Sequence, residues 1–229
     1  IRRPPRSTQG VSSAASDVYK RQLLFIEHEY GRDAFVDGLK SSQKRVDSFH
    51  EKNPNYTVIH NNLKNMKDVT SSQTYQKGSW ILHMLRGVLG TDLFWKGIRA
   101  YYQKYKDLNA STEDFKNVME EVSGINLTTF FNQWLFKPGI LKLEGQWYYD
   151  KSETEIVLEM KQVQAGEMLI EMPIEIGIGF NNNNHEIEKI KLSEAYSKYR
   201  IKVNEEPTNV SLDPNLWVLM NSSFRKKAK

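Results

Sequence analysis

Histidine and the carboxylates are the side chains in this 229-residue sequence that could bind a metal, because it contains no cysteine. The five histidines are His28, His50, His60, His83 and His185. No two lie four residues apart, the spacing at which two histidines on one helix bind zinc. His28-Glu29 begins like His-Glu-x-x-His, but position 32 is an arginine, a cation that cannot bind a metal. The sequence therefore predicts no metal site, and we expect these histidines to be ordinary surface or half-buried residues.

The basic residues are concentrated at the N-terminal end. The formal net charge is +4, but five of the 32 basic and one of the 28 acidic residues lie within residues 1–22, which leaves 27 of each beyond them. Residues 1–22 resemble a translated sequencing adaptor, and we expect an artefactual or disordered leader there. The rest of the chain carries no basic excess for binding nucleic acid. No apolar run approaches the roughly 18 residues of a transmembrane segment.

Apolar residues recur at helical spacing from Leu23 to Gly139. The pattern predicts six helices, over 23–31, 34–39, 75–89, 93–105, 112–123 and 127–135. An irregular connection is predicted over 48–70.

Capping residues mark several of these helix ends. Ser111 or Thr112 can begin a helix that Gly124 ends, with Asp114 near the positive end of its dipole. Asn126 is a candidate cap for the last helix.

Short runs of β type follow Leu141. They predict six strands, over 143–149, 154–163, 168–180, 185–192, 199–203 and 210–212. Ile170, Met172, Ile174, Ile176 and Ile178 would share one face, with Glu171 and Glu175 on the other. We therefore expect a helical part over 23–139, an antiparallel β-sandwich over 140–218 and a basic tail over 219–229. From these patterns alone, a binding or structural role is as well supported as catalysis.

One segment adds a family resemblance. The run Thr74-Tyr75-Gln76-Lys77-Gly78, continuing to Arg86, is similar to the Tyr-x-Lys-Gly segment of the M1 (gluzincin) zinc aminopeptidases. Agreement in order and spacing continues through Gly90, Phe94, Tyr101, Ser111–Phe115, Ser123-Gly124, Leu127, Phe130–Leu135 and Pro138-Gly139. Upstream, Phe25–Gly31 looks like the end of the helix that carries the third zinc ligand of that family. The likeness covers nearly all of residues 23–218.

The resemblance implies an α+β fold in two parts. The first part would be the α-helical C-terminal portion of a thermolysin-like catalytic domain, and an antiparallel β-sandwich would follow it. In this family a zinc ion activates water, which attacks the carbonyl of the first peptide bond of a peptide substrate. Tyr75 matches the tyrosine that donates its hydroxyl to the resulting oxyanion. Glu27 resembles a carboxylate near the zinc, where it could orient a ligand histidine. Lys77 is interpreted as a packing or solvent-facing residue.

The same resemblance predicts what this sequence lacks. The His-Glu-x-x-His helix, the third ligand and the Gly-x-Met-x-Asn segment that holds the substrate amine have no counterpart in it. We therefore expect a fragment of an aminopeptidase that binds no zinc by itself and is inactive as it stands. The alternative is a non-catalytic relative that uses the helices and the sandwich as a protein-interaction scaffold. Substrate side-chain preference, localisation and oligomeric state have no signal in the sequence.

Overall fold

The computed structural model describes residues 22–59, 71, 73–165, 168–181 and 184–228. The chain divides into two compact units, of which the first ends at Gly139 and the second begins at Ile140. The expected leader, residues 1–22, lies outside the described residues except for Gln22. In the described part of the chain, no helix is both long enough and apolar enough to cross a membrane.

The first unit is helical. It contains α1 (Leu24–Lys52), a π-helical segment (Gln73–Lys77), α2 (Gly78–Leu89), α3 (Thr91–Tyr105), α4 (Thr112–Ser123), α5 (Thr128–Phe131) and a second π-helical segment (Asn132–Phe136). The predicted α-helical half is thus confirmed, and most of the predicted bounds agree to within two residues.

Helix α1 differs from the prediction of two short helices. Gly31 breaks the helical geometry with a φ of 85°, as its role as a helix stop predicted, but the chain then remains helical to Lys52. The connection predicted over 48–70 therefore begins too early, because residues 48–52 still belong to this helix, whose buried face continues from Leu39 through Ser42 and Val46. His60 and most of the predicted connection, residues 60–70, lie outside the described residues.

Helix α2 is the buried centre of the first unit. Eight of its twelve residues are buried, including Trp80 and Met84, so it packs on more than one face. Gly90 ends it with a φ of 81° and its N–H bonds to the carbonyl of Arg86, as predicted. Helices α3 and α4 pack closely against each other, because Gly97 of α3 leaves room for the sulfur of Met119 of α4.

The ends of α4 follow the predicted capping pattern. Ser111 accepts a hydrogen bond from the N–H of Asp114, whose side chain accepts one from the N–H of Ser111. Gly124 ends the helix in the left-handed conformation with a φ of 70°. Asn126, the predicted cap of the last helix, lies one residue before the observed N-cap, Leu127, although its Oδ1 accepts a hydrogen bond from the N–H of Thr128 at 3.0 Å.

The second unit is a β-sandwich of two sheets. Its strands are β1 (Leu141–Asp150), β2 (Glu155–Gln162), β3 (Met172–Gly179), β4 (His185–Leu192), β5 (Tyr196–Lys202), β6 (Asn209–Leu212) and β7 (Met220–Lys226). One sheet has the order β5-β2-β1-β7 and the other β4-β3-β6. Met172, Ile174, Ile176 and Ile178 all point into the core, as their alternation predicted. Glu171 is exposed on the other face, whereas Glu175 is buried.

Strand β7 was not predicted. The segment 219–229 was expected to be a basic tail, but Met220–Lys226 pairs with β1 in parallel, opposite Leu141–Trp147. The other pairings are antiparallel. The side chains of Lys226 and Lys227 lie over the rings of Trp147 and Tyr148, so the basic residues cover aromatic surface on β1.

Candidate active site

Tyr75 lies in the middle of the π-helical segment that precedes α2. Its N–H bonds to the carbonyl of Ser71 at 3.2 Å. The side chains of Gln73 and Thr74 are buried, whereas Tyr75 is 38% exposed. Short π-helical segments displace one side chain from the regular helical pattern and occur frequently at functional sites. The segment therefore has one exposed aromatic side chain, that of Tyr75, on a turn whose other side chains are mostly buried.

The residue after Tyr75 is attached to α1. The side-chain carbonyl of Gln76 accepts a hydrogen bond from Ser42 Oγ at 2.9 Å. The main-chain carbonyl of Gln76 accepts a second bond, from Ser79 Oγ, at 2.9 Å. Gln76 is therefore held at two points: α1 binds its side chain, and the first turn of α2 binds its main-chain carbonyl.

Lys77 is buried, so of its two interpretations the solvent-facing one is wrong and the packing one agrees with the structure. Its side chain is 1% exposed, and Nζ donates to the carbonyl oxygen of Gly139 at 2.8 Å. Burial lowers the pKa of the ammonium group to about 8, because a low-dielectric surrounding disfavours the charged form. This lysine thus connects the π-helical segment to the last residue of the helical unit.

Glu27 lies on α1, before the break at Gly31. Its side chain is 30% exposed and its carboxylate is 2.9 Å from the guanidinium of Arg32. His28 pairs with Glu29 at 2.9 Å. In the described part of the chain, no hydrogen bond or ion pair links Glu27 to Tyr75, so the structure does not bring the two predicted site residues into contact.

The described residues do not form a metal site. Within residues 22–59, 71, 73–165, 168–181 and 184–228, no three His, Cys, Asp or Glu side chains are grouped so that they could hold an ion. His83 is fully buried, not at the surface, and its ring meets Phe35 and Trp80 edge-on at centroid distances of 5.5 and 5.6 Å. The described side chains therefore do not fit a zinc ion, and no step of the proposed chemistry is assigned to one.

Two hydrogen bonds around Tyr75, made by Ser42 and by Lys77, were not predicted from the sequence. Ser42 could have been found, because it follows Leu39 and precedes Val46 at helical spacing, which places a small polar side chain on the buried face of α1. Lys77 gave no comparable signal, since its acceptor lies 62 residues further along the chain.

The chain is similar to known peptidases in both sequence and fold. The model of the Peptidase family M1 domain matches residues 16–134, starting inside the expected leader and including the whole π-helical segment Gln73–Lys77 that contains Tyr75. Aminopeptidase M1-D of Oryza sativa subsp. japonica is 28% identical over 193 residues, which are 82% of this chain and 21% of that protein. Aminopeptidase N of Lactococcus lactis subsp. lactis is 35% identical over 97 residues, 42% of this chain and 11% of that protein.

A solved structure has the same fold. The crystal structure of Legionella pneumophila aminopeptidase A in complex with aspartic acid matches 96% of this chain and 24% of its own, with a TM-score of 0.76 and 15% identity. This chain thus spans about a fifth of the length of the rice aminopeptidase M1-D. Because the family model covers more than half of its residues, the chain belongs to peptidase family M1.

Proposed function

We propose that this chain is part of a zinc-dependent aminopeptidase that removes N-terminal residues from peptides. The observation that carries the proposal is the family match over residues 16–134, which includes the Tyr75 segment. The relatives it matches are named as aminopeptidases and are several times longer. The proposed activity therefore belongs to a longer protein, in which residues other than those described would hold the metal.

In that protein Tyr75 would stabilise the transition state. Attack of water on the carbonyl of the first peptide bond places negative charge on the carbonyl oxygen. A tyrosine hydroxyl ordinarily keeps its proton at neutral pH and can donate it in a hydrogen bond to that oxygen. The partial exposure of Tyr75, on a turn whose other side chains are mostly buried, supports this role.

Glu27 would act on the metal site indirectly, by accepting a hydrogen bond from a ligand histidine and fixing its orientation. Its present partner, Arg32, would have to share or release the carboxylate. A Glu27→Gln variant of the longer protein is expected to lower zinc affinity by about 10- to 100-fold, measured by competition with a chelator. An unchanged affinity would remove Glu27 from the site.

The test of the proposed function is a hydrolysis assay on the longer protein. A peptide with a free N-terminus is expected to lose its first residue, whereas the same peptide with an acetylated N-terminus is expected to remain intact. Folded protein that cleaves neither peptide, and whose upstream sequence has substitutions in His-Glu-x-x-His, would instead be the non-catalytic scaffold. Cleavage of internal bonds in the acetylated peptide would show a peptidase of another specificity.

A further inference from the structure

The ammonium group of Lys77 is buried, which is unusual for a lysine that is not paired with a carboxylate. Its hydrogen-bond acceptor is a main-chain carbonyl, and desolvation by burial lowers its pKa, with no carboxylate of the described residues contributing. Burying a charge without an opposite charge is unfavourable, and a methionine of similar length would avoid that. Positions that break a folding preference in this way are expected where function requires them.

The acceptor of this bond is itself fixed. Gly139 follows Pro138 and has a φ of 90°, a conformation that favours glycine. A side chain at position 139 would lie 3.7 Å from the ring of His50, near the end of α1. Just upstream, the carbonyl of Leu135 accepts a hydrogen bond from the N–H of Ile59 at 3.0 Å. The Gly139 carbonyl is therefore a well-anchored point for Lys77 to bind.

Two consecutive residues after Tyr75 are thus held by separate parts of the first unit. Gln76 is bound by Ser42 of α1, and Lys77 by Gly139 at the end of the unit. The Tyr75 ring has no such attachment of its own among the hydrogen bonds of the described residues, and its direction is set by the backbone of the π-helical segment. Removing either attachment would allow that backbone to relax towards a regular helix.

We propose that Lys77 is a positioning residue for Tyr75: its bond to Gly139 holds the π-helical segment in the geometry that directs the Tyr75 hydroxyl to the substrate. This inference rests on the proposed function. Lys77 does not touch the substrate and acts through Tyr75. Displacing a reacting group by about 1 Å can lower the rate by about 100-fold, so the bond is relevant to turnover as well as to folding.

The test is a double-mutant cycle in the longer protein, with variants Lys77→Met, Tyr75→Phe and the combination of the two. Lys77→Met is expected to lower kcat by about 10- to 100-fold, with KM changed less than threefold. In the Tyr75→Phe background the same substitution is expected to change kcat by less than threefold, because the hydroxyl that it displaces is already absent. Lys96→Met, at an exposed lysine of α3, is the matched control and should retain full activity.

Lys77→Gln distinguishes positioning from folding. Glutamine is neutral, and its N–H donor is one carbon closer to the backbone than Lys77 Nζ, so it can make only a weakened bond to Gly139. This variant is therefore expected to recover part, but not all, of the kcat that Lys77→Met loses. The proposal is overturned if Lys77→Met or Lys77→Gln folds with unchanged kcat, or if Lys77→Met lowers kcat equally in both backgrounds. If Lys77→Met does not fold, Lys77→Gln decides by the same criterion. Full kcat in Tyr75→Phe alone would instead refute the role of Tyr75 in the proposed function.

Discussion

Replacing Lys77 by methionine should change how the stability of the helical unit depends on pH. The pKa of Lys77 falls from its ordinary 10.5 to about 8 in the folded chain. The unfolded chain therefore binds more protons between pH 8 and 10.5, and the free energy of unfolding of the unmodified chain rises with pH across that window. At about 1.36 kcal/mol per pH unit, Lys77 contributes a rise of about 3 kcal/mol.

Methionine removes the charge but leaves the Gly139 carbonyl without its donor, which costs about 1–3 kcal/mol. At pH 7 the two effects nearly cancel, so Lys77→Met should be as stable as the unmodified chain or up to about 2 kcal/mol more stable. Above pH 10.5 the unmodified chain no longer carries the buried charge, and the variant should be less stable by about 1–3 kcal/mol.

Urea unfolding followed by circular dichroism at 222 nm reports on this unit, because the described helices lie in it. Comparing the two chains at each pH cancels the titration of the groups that they share. Lys96→Met, which removes an exposed lysine, should keep the pH dependence of the unmodified chain. A difference between Lys77→Met and the unmodified chain that stays constant from pH 7 to 10.5 would refute the reasoning.

Three further outcomes are expected. Burial raises the pKa of Asp213 to about 6, so the folded sandwich binds a proton that the unfolded chain lacks between pH 4 and 6. The free energy of unfolding of the sandwich should therefore fall by up to about 3 kcal/mol as the pH rises through that window. Hydrogen exchange of the β3 amides measures this, and Asp213→Asn should show no such fall. Ser111→Ala removes the acceptor for the Asp114 N–H and should lower the free energy of unfolding by about 1 kcal/mol in urea, whereas an unchanged value would show that the cap is dispensable. The 229-residue chain should retain no zinc after dialysis and release no N-terminal residue; stoichiometric zinc together with metal-dependent release would contradict this.

Local chemistry made several features of the helical unit predictable. Gly90 and Gly124 end helices because their positive φ suits glycine, and Ser111 begins one because its hydroxyl satisfies a free N–H. Each signal depends on residues no more than four positions apart. The segment around Tyr75 was singled out by its resemblance to the Tyr-x-Lys-Gly segment of the M1 family, and its π-helical geometry was not predicted.

Features that depend on distant contacts could not be predicted in this way. The segment Met220–Lys226 lacks apolar alternation, and it becomes a strand because β1 offers it a parallel edge. The sequence does not decide between the packing and the solvent-facing interpretation of Lys77, because its acceptor, the carbonyl of Gly139, lies 62 positions later. The second half of α1 looks polar because only one narrow face of it is buried.

The central claim is most directly tested by the turnover of Tyr75→Phe in the longer protein. Phenylalanine keeps the ring and removes one donor, so KM should change little, whereas kcat should fall on the order of 10²- to 10³-fold. Tyr102→Phe, at an exposed tyrosine of α3, should retain full kcat. The account predicts this loss with unchanged melting temperature and zinc content, and a Tyr75→Phe enzyme that retained most of its kcat would contradict it.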